Sequence, residues 1–205
     1  AILSLIPLGQ PLLIKIGFVL SSSAFMLYVP EKLNAETFKF YFDRGFEKGK
    51  KGDYYGAIFD FTKALEINPN SDSAYYNRGW NKAKLKDYYG AISDYTKALE
   101  INPKNVDAYI NRGVSKRKLK DYYGAISDYT KALEINPNDA DVYYNRGNSK
   151  SSLEDFYGAI ADYTIAIEIN PQNALAYYNR GNSKSSLEDH YGAISDYTKA
   201  IEINP

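Results

Sequence analysis

The chain has 205 residues, of which 44% are hydrophobic and 24% charged, the balance of an ordinary folded protein. Its 25 basic and 25 acidic side chains cancel, which argues against a surface built to neutralise many phosphates, so nucleic acid is not the expected partner. The absence of cysteine excludes disulfides, thiolate metal sites and a cysteine nucleophile.

In chain order the first element is an apolar leader. From Ala1 to Pro30 the only charge is Lys15, and the uncharged run Ile16 to Val29 has the length of a signal-peptide core. Pro30 stops any helix, and Leu33-Asn34-Ala35 ends on a small residue. Export with cleavage after Ala35 is the reading this supports, which makes residues 1–35 a leader and 36–205 the folded domain. An uncleaved anchor is the first alternative, because Leu12 to Val29 approaches the roughly 20 apolar residues of a membrane span. An apolar helix packed on the start of the folded domain is the second. The expected location is outside the cytoplasm or at a membrane, with the leader as the only membrane contact.

Beyond the leader the phrase Ile-Asn-Pro recurs every 34 residues, at Pro69, Pro103, Pro137, Pro171 and Pro205. A period of this size is read before any local propensity. Taking this proline as position 32 of each unit divides the domain into 38–71, 72–105, 106–139, 140–173 and 174–205. Position 8 is then always glycine (Gly45, Gly79, Gly113, Gly147, Gly181), and positions 20 and 27 are always alanine. In the second half of a unit Ala91, Ile92, Tyr95, Ala98 and Leu99 share one helical face, with Asp87 as the N-cap. The first half, from Asp72 to Leu85, is a second short helix. Each unit is therefore a helix-turn-helix whose faces are buried only by stacking on neighbours.

These residues resemble the tetratricopeptide-repeat family. In the second unit the matching positions are Tyr75, Gly79, Ala91, Tyr95, Ala98 and Pro103, and the match runs over five units from about Phe38 to Pro205. The resemblance implies an all-α, right-handed superhelical solenoid. Two departures recur. Arginine stands where the family has leucine before the glycine (Arg44, Arg78, Arg112, Arg146, Arg180), and lysine where it has tyrosine three residues after it (Lys48, Lys82, Lys116, Lys150, Lys184). An aspartate in every second helix (Asp60, Asp94, Asp128, Asp162, Asp196) is the expected ion-pair partner of the arginine. A glycine in the first turn of every second helix (Gly56, Gly90, Gly124, Gly158, Gly192) has no local rationale, since an interior glycine costs about 1 kcal/mol against alanine.

Catalytic chemistry finds no constellation. The single histidine, His190, fills a slot held elsewhere by Tyr54, Tyr88, Tyr122 and Phe156, and reads as a packing or turn residue. No phosphate loop, zinc spacing or calcium loop occurs, so no cofactor, metal or enzymatic activity is expected.

What remains is the stripe on each first helix at positions 2, 6, 9 and 13, which the resemblance places in a concave groove. Asn77, Asn111, Asn145 and Asn179 occupy position 6 in four consecutive units, with Asp43 in the first. Each amide offers a donor and an acceptor, suited to the main chain of an extended peptide. Position 9 runs Phe46, Trp80, Val114, then Asn148, Asn182, and position 13 runs Lys50, Lys84, Lys118, then Ser152, Ser186. The expected site combines Asn77, Asn111, Asn145 and Asn179 with Tyr76, Trp80, Lys50, Lys84 and Lys118. Its expected ligand is a protein segment with acidic beside apolar residues, lying over the first three units. The family's carboxylate clamp needs basic residues at first-helix positions that here hold Phe42, Tyr76, Ile110, Tyr144 and Tyr178. A self-assembling solenoid, or an assembly factor within a larger complex, is the alternative.

Overall fold

The computed structural model describes residues 31–205; the apolar run Ile16 to Val29 lies outside the described residues. Among the described residues ten helices form five antiparallel pairs: α1 (Glu31–Lys50) with α2 (Tyr54–Ile67), α3 (Asp72–Lys84) with α4 (Tyr88–Ile101), α5 (Val106–Lys118) with α6 (Tyr122–Ile135), α7 (Ala140–Ser151) with α8 (Phe156–Ile169), and α9 (Ala174–Ser186) with α10 (His190–Ile203). Residues 31–35, assigned above to the leader, lie in α1. No described helix is long and apolar enough to cross a membrane.

Both ends of every connection are written in the local sequence. In the second unit the amide of Lys86 donates to the Ala83 carbonyl (2.9 Å) and that of Asp87 to the Lys82 carbonyl (2.9 Å), the paired bonds that close a helix C-terminus. The closing residue is left-handed in every unit: Gly52 (φ 83°), then Lys86, Lys120, Glu154 and Glu188 with φ between 62° and 64°. Asp53, Asp87, Asp121, Asp155 and Asp189 then cap the second helices, each accepting from the amide three residues on.

The core runs along the stack. The alanines at positions 20 and 27 are buried in all five units, together with Phe61, Tyr95, Tyr129 and Tyr163. Position 8 is glycine because the helices of a pair touch there. A Cβ on Gly79 stands 3.2 Å from the Ala91 carbonyl oxygen and 3.1 Å from the Tyr95 ring, and one on Gly147 stands 2.8 Å from the Tyr163 ring. Ala98 and Leu99 of one unit pack with Ala108 of the next, under Tyr75, Tyr76 and Tyr109. Each second helix thus packs on the following first helix, and successive first helices adjoin. The result is an all-α solenoid whose first helices line one continuous surface.

Candidate groove site

A charged framework holds the groove helices in place. In each unit the expected arginine–aspartate pair is formed and is bidentate: Arg112 Nε and Nη2 donate to Asp128 at 3.0 and 2.7 Å. The lysine that departs from the family pattern joins it, with Lys116 Nζ 2.8 Å from the same carboxylate, whose side chain is only 3% exposed. Asp94, Asp162 and Asp196 repeat this arrangement, and Asp60 does so with Arg44 and Lys48. The arginine also reaches the preceding unit: Arg78, Arg112, Arg146 and Arg180 donate through Nη1 to Thr62, Thr96, Thr130 and Thr164 at 3.0–3.1 Å. One guanidinium therefore ties two helices of its own unit and one of its neighbour. Burial pushes the carboxyls of Asp60 and Asp196 up, but hydrogen bonds from their arginine and lysine partners outweigh it and leave both below the ordinary value.

The first-turn glycine of the second helix is explained by its cap. The Asp87 carboxylate lies across Gly90, accepting from its amide at 2.9 Å, and a Cβ on Gly90 would stand 2.2 Å from the other carboxylate oxygen. The four equivalent glycines repeat this contact. A side chain there forces the cap to rotate away.

The structure brings most of the expected site residues of the first two units together. Phe46, Lys50, Tyr76, Asn77 and Trp80 line one cavity of about 260 Å³, floored by Phe61 and Asn81. The ammonium groups of Lys50 and Lys84 lie 4.5 and 4.7 Å from the centroids of the Phe46 and Trp80 rings. Lys50 also stands 3.6 Å from Glu47, whereas Lys84 and Lys118 have no carboxylate partner among the described residues. The Tyr76 ring packs 5.8 Å from that of Tyr95, and its hydroxyl accepts from Asn111 at 3.1 Å. The asparagine ladder is continuous along the groove, but part of its donor capacity is used within the fold. Asn77, Asn111 and Asn145 donate to the carbonyls of Ser73, Asp107 and Asp141, each four residues back, at 2.8–3.0 Å. Asn179 donates instead to the Tyr144 hydroxyl (3.1 Å) and to the Asn148 amide oxygen (2.9 Å).

The last three units build a second cavity that the groove pattern did not single out, of about 380 Å³, around Arg117, Asn148, Ser151, Asn179 and Asn182. Here the position-24 tyrosines are satisfied: Tyr163 donates to Asn148 and Tyr197 to Asn182, both at 2.8 Å. In the earlier units Trp80 and Val114 occupy the asparagine position, and the buried hydroxyls of Tyr95 and Tyr129 have no hydrogen-bond partner. Burial raises the Tyr129 phenol to about 12, with the nearby Arg117 charge acting against it. The signal for this cavity was the Asn148 and Asn182 substitution at position 9; nothing in the period marked Arg117.

His190 is the exposed first residue of α10, and among the described residues no group of three His, Cys, Asp or Glu side chains is placed to hold a metal ion. What the groove offers is shape, amides and unpaired cations, the means to hold another chain. The same fold is found in known structures. A crystal structure of MamA protein superposes with a TM-score of 0.80 at 27% identity, covering 82% of this chain and 92% of that one. A MamA structure from Desulfovibrio magneticus RS-1 gives 0.79 at 23% identity, covering 82% and 95%. YrrB, described as a TPR protein with an unusual peptide-binding site, gives 0.74 at 25% identity, covering 80% and 85%. A search of curated protein sequences gives no match. Profiles of the Tetratricopeptide repeat match residues 38–71, 73–105, 106–139, 140–173 and 174–205, so five consecutive helix pairs identify this chain as a member of the tetratricopeptide-repeat family and a protein-interaction scaffold.

Proposed function

We propose that the concave groove binds an extended segment of a partner protein, and that its first three units select acidic residues next to apolar or aromatic ones. The observation that carries this is the cavity between Phe46, Tyr76 and Trp80, an apolar slot edged by lysine ammonium groups lying over its aromatic rings. A large apolar side chain enters such a slot, and a carboxylate beside it meets Lys84 or Lys118. The amide oxygens of Asn77, Asn111, Asn145 and Asn179 accept no hydrogen bond among the described residues and are free for a ligand main chain. The peptide-binding description of YrrB supports the same reading for a chain of this fold.

The test is selection of a random peptide library on the full chain. Enriched sequences are expected to combine acidic and aromatic or branched apolar residues, and their binding to weaken moderately as salt rises, since exposed charges are screened beyond about 8 Å. Lys84→Ser with Lys118→Ser is expected to lower affinity about tenfold, the loss of one charge-assisted bond. Lys63→Ser with Lys97→Ser, on the second helices, serves as the control and should leave affinity unchanged. Equal losses from both pairs would reduce the lysine stripe to a solvated face.

A further inference from the structure

The chain has six arginines. Five of them, one per unit, are clamped to an aspartate. The sixth, Arg117, has no carboxylate within ion-pair distance among the described residues, and its Nε is buried without a hydrogen-bond acceptor. A charged guanidinium N–H removed from water and left unpaired is disfavoured, so this arrangement calls for an acceptor.

The Tyr129 hydroxyl lies beside this guanidinium and is itself without a partner, but a neutral phenol does not balance its charge. Arg117 faces a cavity shared with Asn148, Asn179 and Asn182, none of whose lining residues is acidic. The amide oxygen of Asn148 is occupied twice, by the Tyr163 hydroxyl and by Asn179, and that of Asn182 is occupied by the Tyr197 hydroxyl. With their oxygens engaged by tyrosine, Asn148 and Asn182 have their N–H groups free for a ligand. The Ser151 hydroxyl lines the same space. One full positive charge, several neutral donors and no acidic group fit a planar monoanion.

We propose that the cavity around Arg117, Asn148 and Asn182 is a carboxylate-binding subsite, which seats an acidic side chain or the C-terminal carboxylate of a bound chain. A single guanidinium balances a single negative charge, which disfavours a phosphate dianion. The cation comes from position 12 of the third unit and the amides from position 9 of the next two, so the subsite spans three units and exists only in the stacked solenoid. It does not use the first-helix basic residues of the family's clamp, whose places are aromatic or aliphatic here. The proposal deepens the groove reading and rests on it for the peptide. It assigns the acidic anchor at the C-terminal end of the groove, beyond the lysine stripe.

Small probes test it separately from any partner. The six arginine Nε–Hε resonances of the ¹⁵N-labelled full chain are followed by NMR during titration with N-acetylglycine, with N-acetylaspartate N-methylamide, and with neutral N-acetylglycinamide. The Arg117 resonance, identified by its loss in Arg117→Gln, is expected to shift saturably in the millimolar range with at least one acid and not with the amide. The five clamped arginines should stay still. Preference for N-acetylglycine marks a chain terminus, and preference for the aspartate derivative marks a side chain. Asn182→Ala, at an exposed position, should weaken the response about tenfold with the helical circular dichroism unchanged. An absent or non-saturable shift, an equal shift with the neutral amide, or a stronger response to inorganic phosphate overturns the proposal. If library peptides bind the groove while Arg117 stays silent to both acids, the subsite fails alone; if Arg117 responds while no peptide is selected, the groove reading fails alone.

Discussion

Units one to three and units four and five share one backbone and present different chemistry. In the first region position 9 is Phe46, Trp80 and Val114, and the groove is apolar and edged by lysine. In the second it is Asn148 and Asn182, which line a cavity and also bond the tyrosine of the second helix beneath. One position therefore sets the character of the groove and whether the buried phenol below it finds an acceptor. The apolar region leaves Tyr95 and Tyr129 without hydrogen bonds, while Tyr163 and Tyr197 are bonded. A stripe available for recognition in the first region is achieved at the expense of a satisfied core, since an unmade buried bond is disfavoured by about 1–3 kcal/mol.

The contrast breaks first if the shared framework is not truly shared. Asp128→Ala and Asp162→Ala, one in each region, should each lose about 3 kcal/mol of stability by urea denaturation, because each strands a guanidinium and an ammonium in a partly buried site. Asp60→Ala should lose less, since Arg44 is 40% exposed. A full acid titration adds the sign. Asp60 and Asp196 titrate below the ordinary value when folded, so their contribution is present at neutral pH and is lost as pH falls below about 4. Unequal losses at Asp128 and Asp162 would mean that the two regions differ in framework as well as in surface.

Exchanging position 9 sharpens the contrast at a smaller scale. Asn148→Val removes the acceptor of Tyr163 and a partner of Asn179, and should destabilise by about 1–3 kcal/mol. Val114→Asn should move in the opposite direction by giving Tyr129 an acceptor, and a loss from both exchanges would show that packing rather than hydrogen bonding decides the position. The smallest effect is spectroscopic. Tyr129 should form its phenolate only near pH 12, well above the roughly 10 of a free phenol, and Val114→Asn should push it further up, because only the protonated hydroxyl donates. By the same linkage, stability should fall as pH rises above about 10, where the unfolded chain ionises first. A phenolate absorbance titration reads both.

Much of the molecule was legible before any coordinates. The proline period, the aspartate caps and the alanine positions are recorded within a few residues of each other, and the ten helices follow them. The arginine–aspartate pair was legible too, because it recurs in every unit at one separation. The lysine that completes it was visible only as a departure from the family pattern, with no partner assigned. The first-turn glycines had no account from propensity, since their cause is the side-chain rotamer of the cap three residues back.

The sequence by itself determined the repeat, its helices and its paired charges, because caps, periodic faces and small-residue contacts depend on neighbours at fixed spacing in the chain. The tertiary structure decided what joins helix to helix: the threonine that Arg78, Arg112, Arg146 and Arg180 each reach in the preceding unit, the tyrosine that each position-9 asparagine meets within its own unit, and the cavity where Arg117 Nε stands without a hydrogen-bond partner. These contacts join separate helices, and whether they meet is set by how the stacked pairs rotate on one another, which no local pattern records.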